Sequence, residues 1–391
     1  MKILHTSDWH LGHSLYNYDR TEEQASMLSQ IVEIATQEQP DLFLVSGDVY
    51  HTSQPSAAVQ KMFADTMVNL YKSCPEMKIV VTSGNHDSAS KHEIFQTPWL
   101  ALNVHAIGTI DRDCLDNHII EIPNKGYVIA VPYCYKRNLP DGFFQSLLDE
   151  VAKRNTQSLP VVLSAHTTVQ GCDIKGHEHS SDFTVGGIDT FSIDQLGTGY
   201  DYLALGHIHH AQFIHTGKHN VRYSGTPLAV SFDEDYPHTV SIVTIDRHGD
   251  IPVVKEVGIA NPRPLVTLPK EGTATWEEAK QMLMDFPLDN PSYIRLNVQV
   301  NDFLPSQANA EAGKIISDGG KQCRFCHIKV SRPETARSES PILSIDDFHN
   351  AKPMDILTRY ADGKGISIDD DMKGLFNEVL MSIEEDEREK A

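Results

Sequence analysis

Asp8 and His10 are the first residues of this chain whose types and spacing could do chemistry. They follow Ile3 and Leu4, which end a short apolar run, in a stretch too polar to continue a buried strand. A carboxylate and an imidazole one residue apart, where a strand gives way to a loop, can turn toward one metal ion. Because the pair alone fits a solvated turn equally well, the metal interpretation requires further ligands elsewhere in the chain.

Two more apolar runs end in polar residues of the same kind. DLFLVS (41–46) and KIVVT (78–82) have the length of buried strands, and helical patterns over Arg20–Gln39 and Pro55–Ser73 precede and separate them. Alternating strands and helices predict a parallel sheet, whose chemistry lies at the carboxyl ends of its strands. We therefore expect a common edge for the residues at these ends, which are Asp8, His10, Asp48, Asn85 and His86.

Three later histidines extend the set. His166 follows the apolar run LPVVLSA (159–165), and His207 and His209 follow YLAL (202–205). Carboxylate and amide oxygens combined with imidazoles suit two divalent first-row ions, with Mn²⁺ expected and Fe or Zn as alternatives. Asp48 is the expected bridging ligand because it ends the central one of the three early strands.

Five motifs occur in a fixed order along the chain, and together they resemble the calcineurin-like metallophosphoesterases. They are Asp8-x-His10, Gly47-Asp48, Gly84-Asn85-His86-Asp87, Ala165-His166 and Gly206-His207-x-His209. The surrounding letters, such as KILHTSDWHLG and SGTPLAVSFDE, resemble the nuclease subunits of double-strand-break repair complexes. This resemblance is strong over residues 1–260, and beyond them it lies more in the order and length of elements.

The resemblance implies a division of the ligands between two ions. One ion would be held by Asp8, His10 and His209, and the other by Asn85, His166 and His207, with Asp48 shared. The implied reaction is hydrolysis of DNA phosphodiesters by a two-metal mechanism.

Five further residues around the motifs need separate interpretation. The resemblance places His86 opposite the scissile phosphate, as a general acid or electrostatic stabiliser, and an imidazole there can titrate near neutrality. His51 is either a second phosphate contact or a helix-capping or solvent-facing residue. Asp87 is expected to orient a neighbour, His5 to pack at a strand end, and His210 to lie on the surface.

The expected fold class is α/β, a calcineurin-like metallophosphoesterase sandwich in which central β-sheets are flanked by helices. A smaller α+β capping domain and a C-terminal helical extension follow. We place the nuclease domain at 1–260, the capping domain at 265–333 and a helical partner-binding segment at 340–391. The helices of this last segment are expected over Ser344–Tyr360 and Asp369–Ile383. Val221–Phe232 is expected to be a strand, and residues 167–198 mainly a loop.

Composition sets limits on location and partners. The 391 residues are 40% hydrophobic, and neither a signal peptide nor a membrane-spanning run is recognisable, so we expect a cytoplasmic protein with reduced cysteines. A net charge of −21 repels DNA at long range, so cations or a partner must assist binding. The resemblance implies an ATPase partner, DNA as substrate, and a homodimer within a heterotetramer, with Pro55–Ser73 as a dimer contact.

Two metal-like patterns are set aside. Cys323-x-x-Cys326-His327 has the spacing of covalent haem attachment, but its alternating letters favour a strand in the capping domain. His177 and His179 lie in a polar stretch that favours a loop.

Two rival functions remain open. A stand-alone phosphoesterase acting on small phosphodiesters would not need the C-terminal segment. A non-catalytic scaffold that binds DNA ends would not need a complete ligand set.

Overall fold

The computed structural model describes residues 1–332, apart from 95, 176–189, 215–218 and 302, together with residues 354, 358, 372–374 and 376. Among these residues, no helix is both long and apolar enough to span a bilayer. His177, His179 and most of the two predicted C-terminal helices lie outside the described residues.

The first sheet contains six strands in the described part of the chain, in the order β14-β13-β1-β2-β3-β4. The four early strands run parallel to one another, and β13 and β14 join antiparallel beside β1. The strands are β1 (Lys2–Thr6), β2 (Leu42–Ser46), β3 (Lys78–Thr82), β4 (Val104–Ile107), β13 (Thr239–Thr244) and β14 (Val253–Gly258). The predicted parallel sheet with β2 at the centre of the three early strands is confirmed.

The second sheet also has six strands among the described residues, in the order β11-β12-β10-β7-β6-β5. Strands β6, β7, β10 and β12 are parallel, and the hairpin of β5 and β6 is antiparallel. The strands are β5 (Ile119–Ile122), β6 (Gly126–Val131), β7 (Val161–His166), β10 (Tyr202–Gly206), β11 (Gln212–Phe213) and β12 (Val221–Tyr223). A short separate ladder joins β8 (Thr168–Val169) to β9 (Thr190–Phe191).

Helices cover the outer faces of the two sheets. The core outside the first sheet includes apolar residues of α1 (Thr21–Glu38) and α2 (Ala57–Ser73), and the core outside the second includes those of α5 (Phe143–Arg154). Two short helices, α3 (Ala89–Ile94) and α4 (Gln96–Leu100), connect β3 to β4. The α/β sandwich predicted from the sequence is confirmed.

A third core lies between the two sheets. Leu42 and Leu44 belong to it, whereas Phe43 and Val45 pack on the helical side. Successive residues of a strand point to opposite faces, so a strand covered on both faces must be apolar at every position. This explains the continuous run LFLV in β2.

A small α+β region follows, built from α6 (Trp276–Asp285), α7 (Ala308–Asp318) and the sheet β15-β16-β17. Its strands are β15 (Leu265–Leu268), β16 (Tyr293–Gln299) and β17 (Arg324–Ser331). The strand predicted over Cys323–Ser331 is confirmed. The chain divides into two compact units, residues 1–298 with 304–330, and residues 299–303 with 331–391. The predicted domain boundaries stay a prediction.

The strand predicted over Val221–Phe232 is wrong beyond Tyr223. Gly225 has a left-handed backbone (φ 73°), and the hydroxyl of Thr226 donates to the carbonyl of Leu228 at 3.0 Å. These local contacts compete with the hydrogen bonds of a sheet, so the apolar residues after Tyr223 form a buried loop.

Candidate metal centre

The residues predicted to bind metal follow five parallel strand ends. Three ends belong to the first sheet (β1, β2 and β3), and two belong to the second (β7 and β10). The side chains from both sheets meet in one cluster, in which Asn85 is half-buried and the others are buried, and whose members are Asp8, His10, Asp48, Asn85, His166, His207 and His209.

Asp8, His10 and His209 form the first group of ligand atoms. The Nε2 atoms of His10 and His209 are 3.1 Å apart, and one ligand atom from each of the three residues lies within 4.8 Å of the others. All three residues are buried. Their ligand atoms therefore surround one small volume.

Asn85, His166 and His207 form the second group. The Oδ1 atom of Asn85 lies 3.1 Å from His166 Nε2 and 3.0 Å from His207 Nδ1. The Nδ1 atom of His166 donates to the carbonyl of Ser46 at 2.8 Å, so its Nε2 atom is the one that faces the cluster.

Asp48 lies between the two groups. Its Oδ2 atom is 3.8 Å from His10 Nε2 and 3.4 Å from His166 Nε2. The other oxygen, Oδ1, accepts a hydrogen bond from the backbone N–H of His86 at 2.9 Å. This arrangement is the one expected of a carboxylate shared by two cations.

The donor chemistry fits a pair of divalent ions. Two buried carboxylates, one amide oxygen and four imidazoles are the mixed oxygen and nitrogen set that Mn²⁺, Fe²⁺ or Zn²⁺ accepts. The Nε2 atoms of His10 and His209 lie 3.1 Å apart, close enough for both to reach one cation. The donor set therefore accommodates each of these metals.

Burial and neighbouring charges set the protonation of the cluster. Burial, reinforced by His166, lowers the pKa of His207 to about 3, and burial lowers the pKa of His10 well below its usual value. Burial opposes protonation of His166 as well, but Asp48 outweighs it and raises the pKa of His166 to about 9. Burial acts to raise the pKa of Asp48, yet His166 and His10 hold it well below its ordinary range. A dication would take over the stabilisation of Asp48 from protonated His166.

Four of the cluster residues have a left-handed backbone that side-chain-bearing residues rarely adopt. The φ angles are 54° for Asp8, 45° for His10, 51° for Asp48 and 94° for His207. Each such residue costs on the order of 1–3 kcal/mol, which the surrounding structure must offset. Backbone hydrogen bonds between the first two loops do so, from Asp8 N–H to the Gly47 carbonyl at 3.0 Å and from His10 N–H to the Asp48 carbonyl at 3.1 Å.

Two glycines are required by close approach to the cluster. A Cβ atom on Gly84 would overlap Oδ1 of Asp48, and one on Gly47 would overlap the ring of His166. Gly47 also has a φ of 88°, which glycine adopts without strain. The Gly47-Asp48 and Gly84-Asn85 motifs therefore have a steric cause.

His86 stands beside the cluster, half-buried, with its ring edge-on to His10 at 4.9 Å between centroids. Its Nδ1 atom donates to the backbone carbonyl of His51 at 3.0 Å, which directs Nε2 away from that bond. The His51 ring stacks on the His86 ring, with centroids 5.6 Å apart. Both rings also lie next to His10 of the first group.

Asp87, His5 and His210 lie outside the cluster. Asp87 accepts from the backbone N–H groups of Val49, Tyr50 and Gly84, which ties two of the cluster's loops together. His5 is fully buried between Tyr202 and Ser46, at 3.0 and 3.1 Å. His210 stacks on Tyr236 and pairs with Asp173 at 3.2 Å.

Sequence reasoning missed the residues that orient the cluster from behind. The Nδ1 atom of His209 lies 2.7 Å from Glu234 Oε1, where the imidazole donates to the buried carboxylate. The other oxygen of Glu234 accepts from the N–H of Val230 at 3.0 Å. Glu234 follows an apolar run by two residues, and no spacing relative to His209 could have identified it.

Asp233, next to Glu234, makes a contact in the small α+β region. Its Oδ1 atom accepts from the Arg295 guanidinium at 2.6 Å, and Lys329 Nζ lies at 3.5 Å. Arg295 also donates to the backbone carbonyl of Phe232 at 3.2 Å. The pair Asp233-Glu234 thus contacts both β16 and a predicted metal ligand.

The fold and the converging donors define a metallophosphoesterase. Residues 1–211 match the calcineurin-like phosphoesterase family, and the chain belongs to that family. Curated proteins named as the SbcD component of the nuclease SbcCD are similar over most of their length. The similarity to the Rhodobacter capsulatus protein is 29% identity over 86% of this chain and 89% of that one. The Bacillus subtilis protein is 30% identical over 78% of this chain and 80% of its own length. The Escherichia coli K12 protein is 27% identical over 78% of this chain and 79% of its own length.

Proposed function

We propose that this protein is a metal-dependent DNA nuclease subunit that hydrolyses phosphodiester bonds with two divalent ions, most favourably Mn²⁺. The single observation that carries the proposal is Oδ2 of Asp48, which faces both the His10 side and the His166 side of one buried donor cluster. The names of the relatives, which call them the SbcD component of a nuclease, support DNA as the phosphodiester.

In this proposal, one ion would be held by Asp8, His10 and His209 and the other by Asn85, His166 and His207, with Asp48 shared. The ions would supply Lewis acidity at the scissile phosphate and activation of the attacking water. The chain's own contribution is to hold the imidazoles and an ionised Asp48 in place before substrate arrives.

His86 and His51 are the proposed catalytic residues beside the ions. With Nδ1 of His86 committed to the His51 carbonyl, its Nε2 atom is the one that can deliver a proton to the leaving oxygen. His51 stacks on the same ring and would contact the neighbouring phosphate.

The proposed assembly follows the relatives' name, which describes one component of the SbcCD nuclease. We propose an SbcC-type ATPase partner that docks on residues 340–391, and a homodimer through α2 within a heterotetramer. A partner and bound cations would also offset the net charge of −21 toward DNA. Exonuclease action on double-stranded ends and endonuclease action on hairpins or single strands, in the cytoplasm, complete the proposal.

The test is digestion of linear and hairpin DNA with Mn²⁺, by this chain alone and with its ATPase partner. His86→Ala should lose most cleavage while Mn²⁺ binding persists. The control is Arg247→Gln, an exposed arginine in the β13–β14 turn at the opposite edge of the sheet. A stand-alone phosphoesterase would cleave bis(p-nitrophenyl) phosphate but not DNA, and a scaffold would retain function in His86→Ala.

A further inference from the structure

The segment that follows β6 emerges at the same sheet edge as the metal centre. Strands β6, β7 and β10 are parallel, so their carboxyl ends are adjacent. His166 ends β7 and His207 follows β10, whereas β6 leads into PYCYKR (132–137). Residues 122–140 contain no Asp or Glu, although the whole chain carries a net charge of −21. A basic and aromatic segment therefore adjoins the catalytic centre of an acidic protein.

Tyr133 holds this segment against the ligands of the second group. Its N–H donates to the carbonyl of Ser83 at 2.8 Å. Its ring lies edge-on to His166, with centroids 6.1 Å apart, and is inclined by 31° to His207 at 6.3 Å. On the other side, Lys136 Nζ donates to Gln195 Oε1 at 2.9 Å. The segment is thus fixed at both ends of a short turn.

Tyr135 and Arg137 extend this arrangement outward to solvent. The Tyr135 ring lies edge-on to Tyr133 at 5.5 Å and is 47% exposed. The guanidinium carbon of Arg137 is 4.8 Å from the Tyr135 ring centroid, and Arg137 is exposed. A half-exposed aromatic ring beside a cation is the combination that binds a nucleotide, because the base stacks and the cation attracts the phosphate.

We infer that Tyr135 and Arg137 bind a nucleotide flanking the scissile phosphate of a single strand, on the Asn85 side of the metal centre. This inference rests on the proposed nuclease function and adds a substrate contact to it. Stacking accepts every base, so the contact favours single-stranded nucleic acid without reading its sequence.

The experiment compares two substrates that differ in having a base to stack. The full chain with Mn²⁺ is assayed on single-stranded oligothymidylate and on bis(p-nitrophenyl) phosphate. Tyr135→Ala should raise KM for the oligonucleotide by about five- to 150-fold. The ratio of kcat/KM for oligonucleotide to that for the small diester should fall with it. Tyr135→Phe should retain the wild-type ratio, as should the distant arginine variant Arg247→Gln.

Arg137→Gln provides a second readout, because it should reduce the slope of log KM against log salt by about 0.7 on the oligonucleotide. Equal losses on both substrates in Tyr135→Ala would overturn the inference, since the segment would then only support the metal ligands. An unchanged ratio would overturn it too. Wild-type protein that hydrolyses the diester but neither the oligonucleotide nor linear or hairpin DNA would instead refute the proposed function, and this inference with it.

Discussion

Removing the Glu234 carboxylate should weaken metal binding at the group that contains His209. Glu234 is buried, 2.7 Å from His209 Nδ1, and its second oxygen is fixed by Val230 N–H at 3.0 Å. A carboxylate behind a ligand histidine fixes the ring and raises its basicity, and losing it typically costs 10–100-fold in metal affinity, or about 1.4–2.7 kcal/mol. We expect Glu234→Ala to weaken one of two Mn²⁺ sites by about this factor.

The assay is a calorimetric Mn²⁺ titration together with activity measured against Mn²⁺ concentration. Glu234→Ala should recover kcat at raised Mn²⁺, and Glu234→Gln, which keeps an acceptor oxygen, should lose less affinity. Asp201→Asn is a matched control, because Asp201 is also buried and accepts from His248 Nδ1 and from backbone N–H groups. Two results would refute this role of Glu234. One is that Asp201→Asn weakens Mn²⁺ binding as much as Glu234→Ala does; the other is that Glu234→Ala lowers the free energy of unfolding and leaves Mn²⁺ affinity unchanged.

Three further predictions concern sterics, pH and metal removal. Gly84→Ala should lower kcat/KM about 100-fold because its Cβ would displace Asp48, whereas Gly258→Ala, with open space around it, should not. Burial lowers the pKa of His5 to about 3, so below about pH 6.5 the unfolded chain binds a proton that the folded protein does not. In EDTA, the free energy of unfolding should therefore fall as pH drops from 6.5 toward 3, by up to about 1.4 kcal/mol per unit, and His5→Gln should reduce that slope in denaturant titrations. Mn²⁺ at about 100 times the Kd of each site should add about 2.7 kcal/mol per occupied site to the free energy of unfolding, and His166→Ala should remove most of the contribution of the site that contains Asn85 and His207.

Each of these predictions has a contradicting result. Gly84→Ala with wild-type kcat/KM would mean that Asp48 can move without loss. An identical pH slope in His5→Gln would assign the pH dependence to other buried histidines. Equal stabilisation of wild type and His166→Ala by Mn²⁺ would place the ion elsewhere.

The early strands and the residues at their ends could be predicted because both depend on local sequence. A strand buried on both faces needs an apolar residue at every position, as in LFLV of β2, and parallel strands bring their ends to one edge. The expectation that Asp48 is a bridging ligand rested on the order of β1, β2 and β3, whereas the division of the other ligands into two groups came from the family resemblance.

What could not be predicted depends on contacts across the chain. The loop after Tyr223 has strand-like letters, and only the left-handed Gly225 and the Thr226 hydroxyl stop the ladder. Glu234 reaches His209 across 25 residues, a pairing that no periodicity encodes. Tyr133 likewise meets His166 only because β6 and β7 are neighbours in the second sheet.

Asp233 and Glu234 are adjacent in sequence but contact different parts of the protein. Asp233 pairs with Arg295, which lies 62 residues further along the chain. Glu234 accepts a hydrogen bond from the imidazole of His209 in the metal centre. A displacement of β16 would move Arg295 and, through their ion pair, Asp233. Because Glu234 is the next residue, the same displacement would change the orientation of the His209 ring. The small α+β region is thereby connected to a proposed metal ligand through two adjacent side chains.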